Sequence, residues 1–162
     1  MKISKLLFAL IGGIMIGNAN AADITIFYAP TCPHCHHARE FISSTLIYEY
    51  DNLKVSEIDV TKIENRQAFV DALWKCGYQK GGVPVIVVGD VDAKDAHKCF
   101  QGYADATQPE LRTAVEIDLT DAQKSAAAAN KAAMDKDKDA FVAAHPERKS
   151  AIVALEPQKK NN

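Results

Sequence analysis

The feature that most constrains the fold is a short segment in which a strand, a turn and two cysteines follow one another. "DITIFYAP" (23–30) is a run of β-branched and aromatic residues that Pro30 interrupts, which is typical of a buried strand. Cys32 and Cys35 follow directly, and apolar residues at helical spacing predict a helix from Pro33 to about Leu46. This order indicates an α/β fold in which Cys32 opens a helix.

The start of a helix is a favourable place for a reactive cysteine. Its first turn has unpaired backbone N–H groups and the positive end of the helix dipole, and both lower the pKa of a thiol there. Pro33 is tolerated because an early helical residue needs no N–H partner. Cys35 can reach Cys32 across one turn, so the pair can shuttle between dithiol and disulfide. His34 would stabilise the Cys32 thiolate further, which makes the disulfide a stronger oxidant.

The segments that follow predict the element order β-α-β-α-β-β-α up to about Leu119. The predicted elements are a strand at 52–60 whose alternation slips at Ser56–Glu57, a helix at 64–77 with Phe69, Ala72, Leu73 and Cys76 on one face, strands at 83–90 and 97–103, and a helix opened by a capping box of Thr107 and Glu110. A strand–helix–strand start implies a parallel pair with a right-handed crossover. The last two strands are expected to be antiparallel.

The first 21 residues have the layout of a cleavable secretory signal peptide. Lys2 and Lys5 precede an apolar run at 6–16, and Ala19-Asn20-Ala21 offers a cleavage site after Ala21. The run is shorter than the roughly 20 residues that cross a bilayer, so we expect an exported protein, periplasmic or secreted, that is not membrane-embedded after processing. Cleavage would change the net charge from −2 to −4, and no dense basic patch suggests nucleic acid as a partner.

The composition changes after Leu119 to alanine and charged residues without glycine. Alanine and lysine favour helix, so we expect a helix from Asp121 to about Ala144. Its expected apolar stripe is thin and consists of Ala122, Ala126, Ala129, Ala133 and Phe141. We therefore expect three regions: a signal peptide (1–21), a folded domain (22–119) and a loosely docked, helical or partly disordered tail (120–162). A dimerisation helix or a partner-docking arm is the alternative for the tail.

Two segments together resemble the thioredoxin superfamily: "FYAPTCPHC" (27–35) and "GGVPVIVVGD" (81–90). In that family a cis-proline lies beside the active-site disulfide, and the residue before it pairs its backbone with the bound thiol partner. The resemblance implies these roles for Pro84 and Val83. The spacing of 49 residues from Cys35 to Pro84 resembles the compact glutaredoxin or thioredoxin arrangement. Pro33-His34, in contrast, is the dipeptide of the Dsb-type periplasmic oxidants.

The resemblance to glutaredoxins also raises the question of glutathione. Their glycine-containing turn after the last hairpin helps to hold glutathione, and here it corresponds to "QGYAD" (101–105). Gly102 and Asp105 match that turn, while Gln101 departs from its first glycine. We therefore expect no cofactor, with glutathione binding as an open alternative that the resemblance raises.

Cys76 and Cys99 form a second candidate pair. Two free thiols would be a liability in an oxidising compartment, so we expect a bond between them that is either structural or relays electrons. Cys76 also fits a buried small apolar residue, and the sequence alone does not give the connectivity.

Metal binding is the main rival chemistry. Cys32 and Cys35 with His36 or His37 could supply zinc or copper ligands. A second closely spaced ligand pair is lacking, and adjacent histidines on a helix point about 100° apart. We therefore expect no metal site.

The sequence predicts an exported enzyme, a thiol:disulfide oxidoreductase of thioredoxin fold that exchanges disulfides with protein thiols through Cys32 and Cys35. A membrane redox partner is expected to restore the cysteine pair. A glutathione-dependent or membrane-driven reductase or isomerase is the alternative, and a Cys/His metal-binding protein is the alternative of another class. A protein that keeps the fold only for binding is disfavoured, because it would not need Cys32, Cys35 and Pro84 together.

Overall fold

A computed structural model describes residues 22–89 and 98–154, and its centre is a five-stranded mixed sheet. The strands are β1 (Ile24–Tyr28), β2 (Val55–Asp59), β3 (Val85–Val88), β4 (Lys98–Gln101) and β5 (Ile152–Ala154), in the order β4-β3-β1-β2-β5. β1 pairs parallel to β2 and antiparallel to β3, and β4 is antiparallel to β3. The predicted α/β thioredoxin fold is confirmed. The signal peptide, the ends of the third and fourth predicted strands and the last residues of the tail lie outside the described residues.

The helices alternate with the first strands as predicted. They are α1 (Pro33–Phe41), α2 (Ile47–Glu49), α3 (Arg66–Lys75), α4 (Gln108–Val115), α5 (Asp121–Lys136) and α6 (Lys138–Ala144), with short 3₁₀ turns at Ile63–Asn65, Asp105–Thr107 and Pro146–Ala151. A π-helical stretch, Ile42–Leu46, joins α1 to α2. The helix that begins beside the cysteine pair therefore continues to Glu49, slightly beyond its predicted end.

Both faces of the sheet are covered, which explains why β3 is buried at every position. On one face, Ile24, Ile26, Ile86 and Val88 pack with Ala38, Phe41, Ile42, Leu111, Ala114 and Val115. On the other face, Phe27, Ile58, Val85 and Val87 pack with Ala72, and Phe69, Leu73, Cys76 and Cys99 adjoin them. Successive side chains of a strand point to opposite faces, so β1 and β3 contribute to both cores.

The capping box expected at the start of α4 is wrong. Thr107 lies in the 3₁₀ turn that precedes α4, and its hydroxyl accepts a hydrogen bond from Ala104 N (3.3 Å). Glu110 instead lies 3.6 Å from Lys98 Nζ. The tight turn after β4 gives Thr107 helical backbone angles. An N-cap residue whose side chain caps the helix has an extended backbone instead, so Thr107 does not cap α4.

The tail is helical as predicted, but its expected apolar stripe is displaced by one residue. Ala122, Ala126, Ala129 and Ala133 are exposed, whereas Ala127 and Met134 are buried and Phe141 packs at the edge of the core. Asn130 lies on the buried side and donates to the Glu49 carbonyl oxygen (3.0 Å). Because alanine carries little apolar surface, this polar contact and the larger Met134 select the face.

The expected loose docking of the tail is also wrong. Arg148 donates to the Tyr48 carbonyl oxygen and forms an ion pair with Asp51. Beyond it, β5 pairs parallel to β2, with Ile152 opposite Val55. This strand extends the sheet, and its three residues are too few to produce a recognisable strand pattern in the sequence.

Candidate active site

The cysteine pair lies at the carboxyl end of β1, where the chain turns into α1. Cys32 is the N-cap residue of α1, with extended backbone angles, and its N–H donates to the Ala29 carbonyl oxygen (3.1 Å). Pro33 occupies the first turn, where the missing N–H leaves no bond unmade. Cys32 thus lies where the positive end of the helix dipole favours a thiolate.

The two cysteines form a disulfide and differ sharply in exposure. Their Cα atoms are 5.2 Å apart. Cys32 is half-buried, while Cys35 is only 1% exposed. The Cys35 N–H donates to Cys32 Sγ (3.2 Å), a contact that would stabilise negative charge on that sulfur after reduction. An incoming thiol can therefore reach the sulfur of Cys32 but not that of Cys35.

Val83 and Pro84 lie against this sulfur from the opposite side of the site. The Val83 carbonyl oxygen is 3.5 Å from Cys32 Sγ, although 51 residues separate the two in sequence. The Val83–Pro84 peptide bond is cis, and Pro84 is buried. Within the described parts of the chain, the Val83 N–H makes no hydrogen bond. The residue whose carbonyl oxygen contacts Cys32 Sγ thus keeps a free backbone donor.

Gly102 and Asp105 occupy different places around the site. Gly102 ends the β4 hairpin with φ +82° and donates its N–H to the Pro84 carbonyl oxygen (2.8 Å), so it contacts the site through Pro84. Asp105 accepts a hydrogen bond from Gln108 (3.2 Å). It lines a groove of about 420 Å³ between α1 and α4, together with His37, Glu40 and Arg112.

The three histidines of the motif point to different surroundings. His34 is exposed and has no hydrogen-bond partner among the described residues. His36 donates from Nε2 to the Pro30 carbonyl oxygen (2.7 Å), and His37 lines the groove beside α1. In residues 22–89 and 98–154, no three His, Cys, Asp or Glu side chains converge in a way that could hold a metal ion.

An ion pair that sequence reasoning missed holds α1 on the sheet. Arg39 binds Glu57 with two hydrogen bonds (2.9 and 2.6 Å) and lies over the ring of Tyr28. The hydrogen bond to Glu57 raises the pKa of the Arg39 guanidinium. The interrupted alternation at Ser56–Glu57 was the sequence feature that could have predicted this ion pair. A carboxylate on a strand beside the core needs a partner.

Cys76 and Cys99 form the second disulfide, with Cα atoms 5.8 Å apart. Cys76 ends α3 and Cys99 lies in β4, so the bond joins a helix to the edge of the sheet. Both residues are half-buried. The bond spans the segment that carries Val83 and Pro84.

A thioredoxin fold with a disulfide at a helix start and a cis-proline beside it defines a class of proteins that perform thiol–disulfide exchange. Comparison with known families makes this class more specific. A glutaredoxin family model matches residues 24–92, a stretch that runs from β1 past β3 and includes Cys32, Cys35 and Val83-Pro84. The rest of the chain, including the tail, lies outside the match. No curated protein and no solved structure matched the chain.

A glutaredoxin-like domain with this cysteine pair supports thiol:disulfide oxidoreductase chemistry, with protein thiols or disulfides as substrates. In the described ranges, no helix is both long and apolar enough to cross a bilayer.

Proposed function

We propose that the protein is an exported thiol:disulfide oxidoreductase that introduces disulfides into protein substrates through Cys32 and Cys35. The observation that carries this proposal is the asymmetry of the pair. The Cys32 sulfur is accessible, receives a backbone N–H and lies beside Val83, whereas Cys35 is buried behind it. Such a site can form one mixed disulfide at a time and then release it.

The oxidising reaction consists of two exchanges. A substrate thiolate attacks Cys32 Sγ, the Cys32–Cys35 bond breaks, and Cys35 takes up the electron pair and then a proton. The second substrate thiol, once deprotonated, attacks the substrate sulfur of the mixed disulfide and displaces Cys32 as a thiolate. One substrate dithiol becomes a disulfide, and the protein's disulfide becomes a dithiol. A membrane redox partner that accepts two electrons would then reoxidise Cys32 and Cys35.

The Val83–Pro84 segment is proposed to bind the peptide that carries the attacking thiol. The Val83 N–H has no partner in the described structure, so it is free to donate to a carbonyl group of an extended peptide. In this proposal the buried Pro84 shapes the surface on which that peptide lies. This contact would align the substrate sulfur with Cys32, which favours exchange by positioning.

His34 is proposed to set the direction of the reaction. The exposed ring lies between the two cysteines, where a protonated imidazole would stabilise the Cys32 thiolate. Stabilising the thiolate stabilises the reduced protein, so the disulfide becomes a stronger oxidant. Pro33 contributes by starting α1 immediately after Cys32.

The match to the glutaredoxin family favours a second candidate, a reductase or isomerase that uses glutathione. Gly102 and Asp105 would then contact glutathione beside Val83. Gln101 weakens this candidate, because it replaces the first glycine of the turn that holds glutathione in glutaredoxins. Its side chain donates to the Lys80 carbonyl oxygen (3.1 Å), so the turn is not open at this position. Glutathione-dependent turnover that exceeds turnover with dithiol peptides would support the reductase.

Export follows from the signal peptide proposed for residues 1–21, and two disulfides in one small domain suit an oxidising compartment. Cleavage after Ala21 would leave Ala22 as the first residue. Ala22 is buried, and its N–H donates to the Val115 carbonyl oxygen (3.2 Å). Mass spectrometry of protein recovered from the periplasm tests the cleavage position.

A monomer is the proposed state of the mature protein, because the buried apolar side chains of the tail face its own domain. A dimer formed through the tail would favour the isomerase, and sedimentation distinguishes the two states.

The deciding experiment is the reduction potential of Cys32–Cys35, measured in glutathione buffers with alkylation and peptide mapping so that each cysteine pair is followed separately. A potential of about −120 mV supports the oxidase, and one between about −270 and −200 mV supports the reductase. His34→Ala should lower the potential by about 30 mV or more, while His37→Ala, on the next turn, should leave it nearly unchanged. A Cys32–Cys35 pair that cannot be reversibly reduced would overturn the proposal.

A further inference from the structure

The loop between α3 and β3 brings Val83 to Cys32, yet its own sequence gives it little rigidity. It contains Gly77, Gly81 and Gly82, and glycine has the largest backbone freedom of any residue. The loop begins with a helix-ending turn in which Tyr78 N donates to the Leu73 carbonyl oxygen (2.9 Å). Beyond that turn, its conformation must be imposed from outside.

Two side chains of β4 fasten this loop. Cys99 is bonded to Cys76 at the start of the loop, and Gln101 donates to the Lys80 carbonyl oxygen in its middle (3.1 Å). Cys99 and Gln101 are two residues apart on one strand, so both point to the same face of the sheet. One strand thus holds the loop at two successive places.

The far end of the loop is held by the same hairpin. Gly102, directly after Gln101, donates to the Pro84 carbonyl oxygen (2.8 Å). At Gly81 a side chain would overlap with Leu73, so the loop lies directly on α3 there. Along the loop, β4 and the residue after it contact the beginning, the middle and the end.

We propose that Cys76, Cys99 and Gln101 are positioning residues that hold Val83 beside Cys32 and thereby set the affinity of the site for peptide thiols. The inference rests on the function proposed above and adds a role for the second disulfide. β4 is a four-residue strand at the edge of the sheet, with Lys98 and Gln101 exposed. Without the covalent bond, α3 and this edge strand can separate, and the start of the loop is no longer held in place.

The test compares small and peptide substrates in the variant Cys76→Ala/Cys99→Ala, with Cys32 and Cys35 intact. We expect KM for a dithiol peptide to rise about fivefold or more, because the ordering of Val83 must then be supplied on binding. The rate with dithiothreitol, which makes no backbone contact with Val83, should change far less. The potential of Cys32–Cys35 should stay close to that of the wild type.

Gln101→Ala provides a second variant in which the disulfide remains. It should raise KM for the peptide in the same direction but by a smaller factor. Met134→Ala is the matched control, because it weakens tail packing away from the loop. It should lower the melting temperature without changing KM for the peptide. Equal losses with both substrates, or an unchanged KM in the double variant, would overturn the inference.

Amide hydrogen exchange separates this inference from the proposed function. Exchange at Tyr78 and Gly102, whose N–H groups are bonded at the two ends of the loop, should accelerate in the double variant and not in Met134→Ala. If wild-type Cys32–Cys35 exchanges with no thiol at all, the proposed function fails whatever happens at the loop. If exchange with peptides is normal and these amides are unaffected by loss of the second disulfide, only the positioning role fails.

Discussion

At the scale of single residues, the reactivity of the site depends on the different surroundings of two identical side chains. Cys32 caps α1 and is half-buried, with the Cys35 N–H directed at its sulfur. Cys35, in the first turn of the same helix, is almost completely buried. A low-pKa thiol at a helix start is reactive, whereas a buried thiol in apolar surroundings is inert.

This asymmetry predicts the order of alkylation in the reduced protein. Iodoacetamide should modify Cys32 at least about tenfold faster than Cys35 at pH 7, because Cys32 is the accessible thiol and the helix start favours its thiolate form. Mass spectrometry of quenched samples gives the two rates. With a peptide disulfide as substrate, the Cys32 thiolate of Cys35→Ser attacks one substrate sulfur and releases the other as a thiolate. The mixed disulfide should accumulate because Cys35 is absent and cannot resolve it, while Cys32→Ser should form none. Equal alkylation rates would contradict the role given to the helix start.

At the scale of elements, the helix that carries the cysteines is tied to its surroundings by two ion pairs. Arg39 holds α1 to β2 through Glu57, and Arg112 of α4 binds Glu49 at the end of α2 with two hydrogen bonds (2.7 and 2.9 Å). Glu49 is 3% exposed. The hydrogen bond to Glu49 raises the pKa of Arg112. The orientation of this helical segment is thereby specified at two places, within α1 and at the end of α2.

Arg112→Met tests the second ion pair. It leaves the buried carboxylate of Glu49 without its cation, and we expect a loss of about 3 kcal/mol in the free energy of unfolding. Urea denaturation measures it. The matched control is Lys131→Met, which removes an exposed ion pair with Asp135 within α5 and should cost less than about 0.5 kcal/mol. Similar losses in both variants would show that burial does not distinguish the two pairs.

A hydrogen bond between the end of α2 and α4 predicts a pH dependence of stability. Tyr50 donates to Glu116 (2.7 Å), and burial, followed by this hydrogen bond, raises the pKa of Tyr50 above its ordinary value of 10.0. The unfolded chain therefore loses this proton at lower pH than the folded protein. The stability that depends on Tyr50 is complete below about pH 10 and falls as the pH rises further.

Tyr50→Phe isolates this contribution, because Tyr78 and Tyr103, whose pKa values are also raised by burial, remain in both proteins. At pH 8 the variant should be about 1.5 kcal/mol less stable than the wild type, owing to the lost hydrogen bond to a carboxylate. The difference should shrink between pH 10 and pH 11. Urea unfolding at the two ends of this range measures it, and a constant difference would refute the assignment.

At the scale of the whole molecule, the tail completes the sheet and closes over the end of the helical segment that begins at the cysteine pair. β5 covers the edge of β2, Arg148 reaches the Tyr48 carbonyl oxygen, and Met134 is buried against the domain. Uncovered strand edges promote association between chains. The tail therefore protects the edge of β2 and stabilises the fold, independently of any chemistry.

A chain that ends at Leu119 tests this role. Loss of the buried tail contacts should lower the free energy of unfolding by about 3 kcal/mol or more, and the exposed edge of β2 should cause concentration-dependent association. Chemical denaturation and sedimentation velocity measure the two effects. A chain that ends at Ala154 retains β5 and should behave like the full-length protein. A stable monomeric variant ending at Leu119 would contradict the structural role of the tail.

The sequence by itself determined the features that depend on neighbours along the chain. The strand before Cys32, the helix start at Pro33 and the order of elements follow from side-chain periodicity and from glycine and proline positions, which act over a few residues. The position of Val83 beside Cys32 was predicted only from the resemblance to a family. The bond between Cys76 and Cys99 was predicted because free thiols are a liability in an oxidising compartment. Nothing in the sequence predicted that the two side chains lie within bonding distance.

Only the tertiary structure decided which distant surfaces meet. Three contacts join segments that are distant in sequence: Arg39 with Glu57, Gln101 with Lys80, and β5 with β2. In each case, neither segment's sequence indicates the other as its partner. The alanine-rich tail shows the reason most directly. Its helix is determined by local propensity, but its buried face depends on Met134, Asn130 and the surface that receives them, since alanine on every side leaves the choice of face to packing.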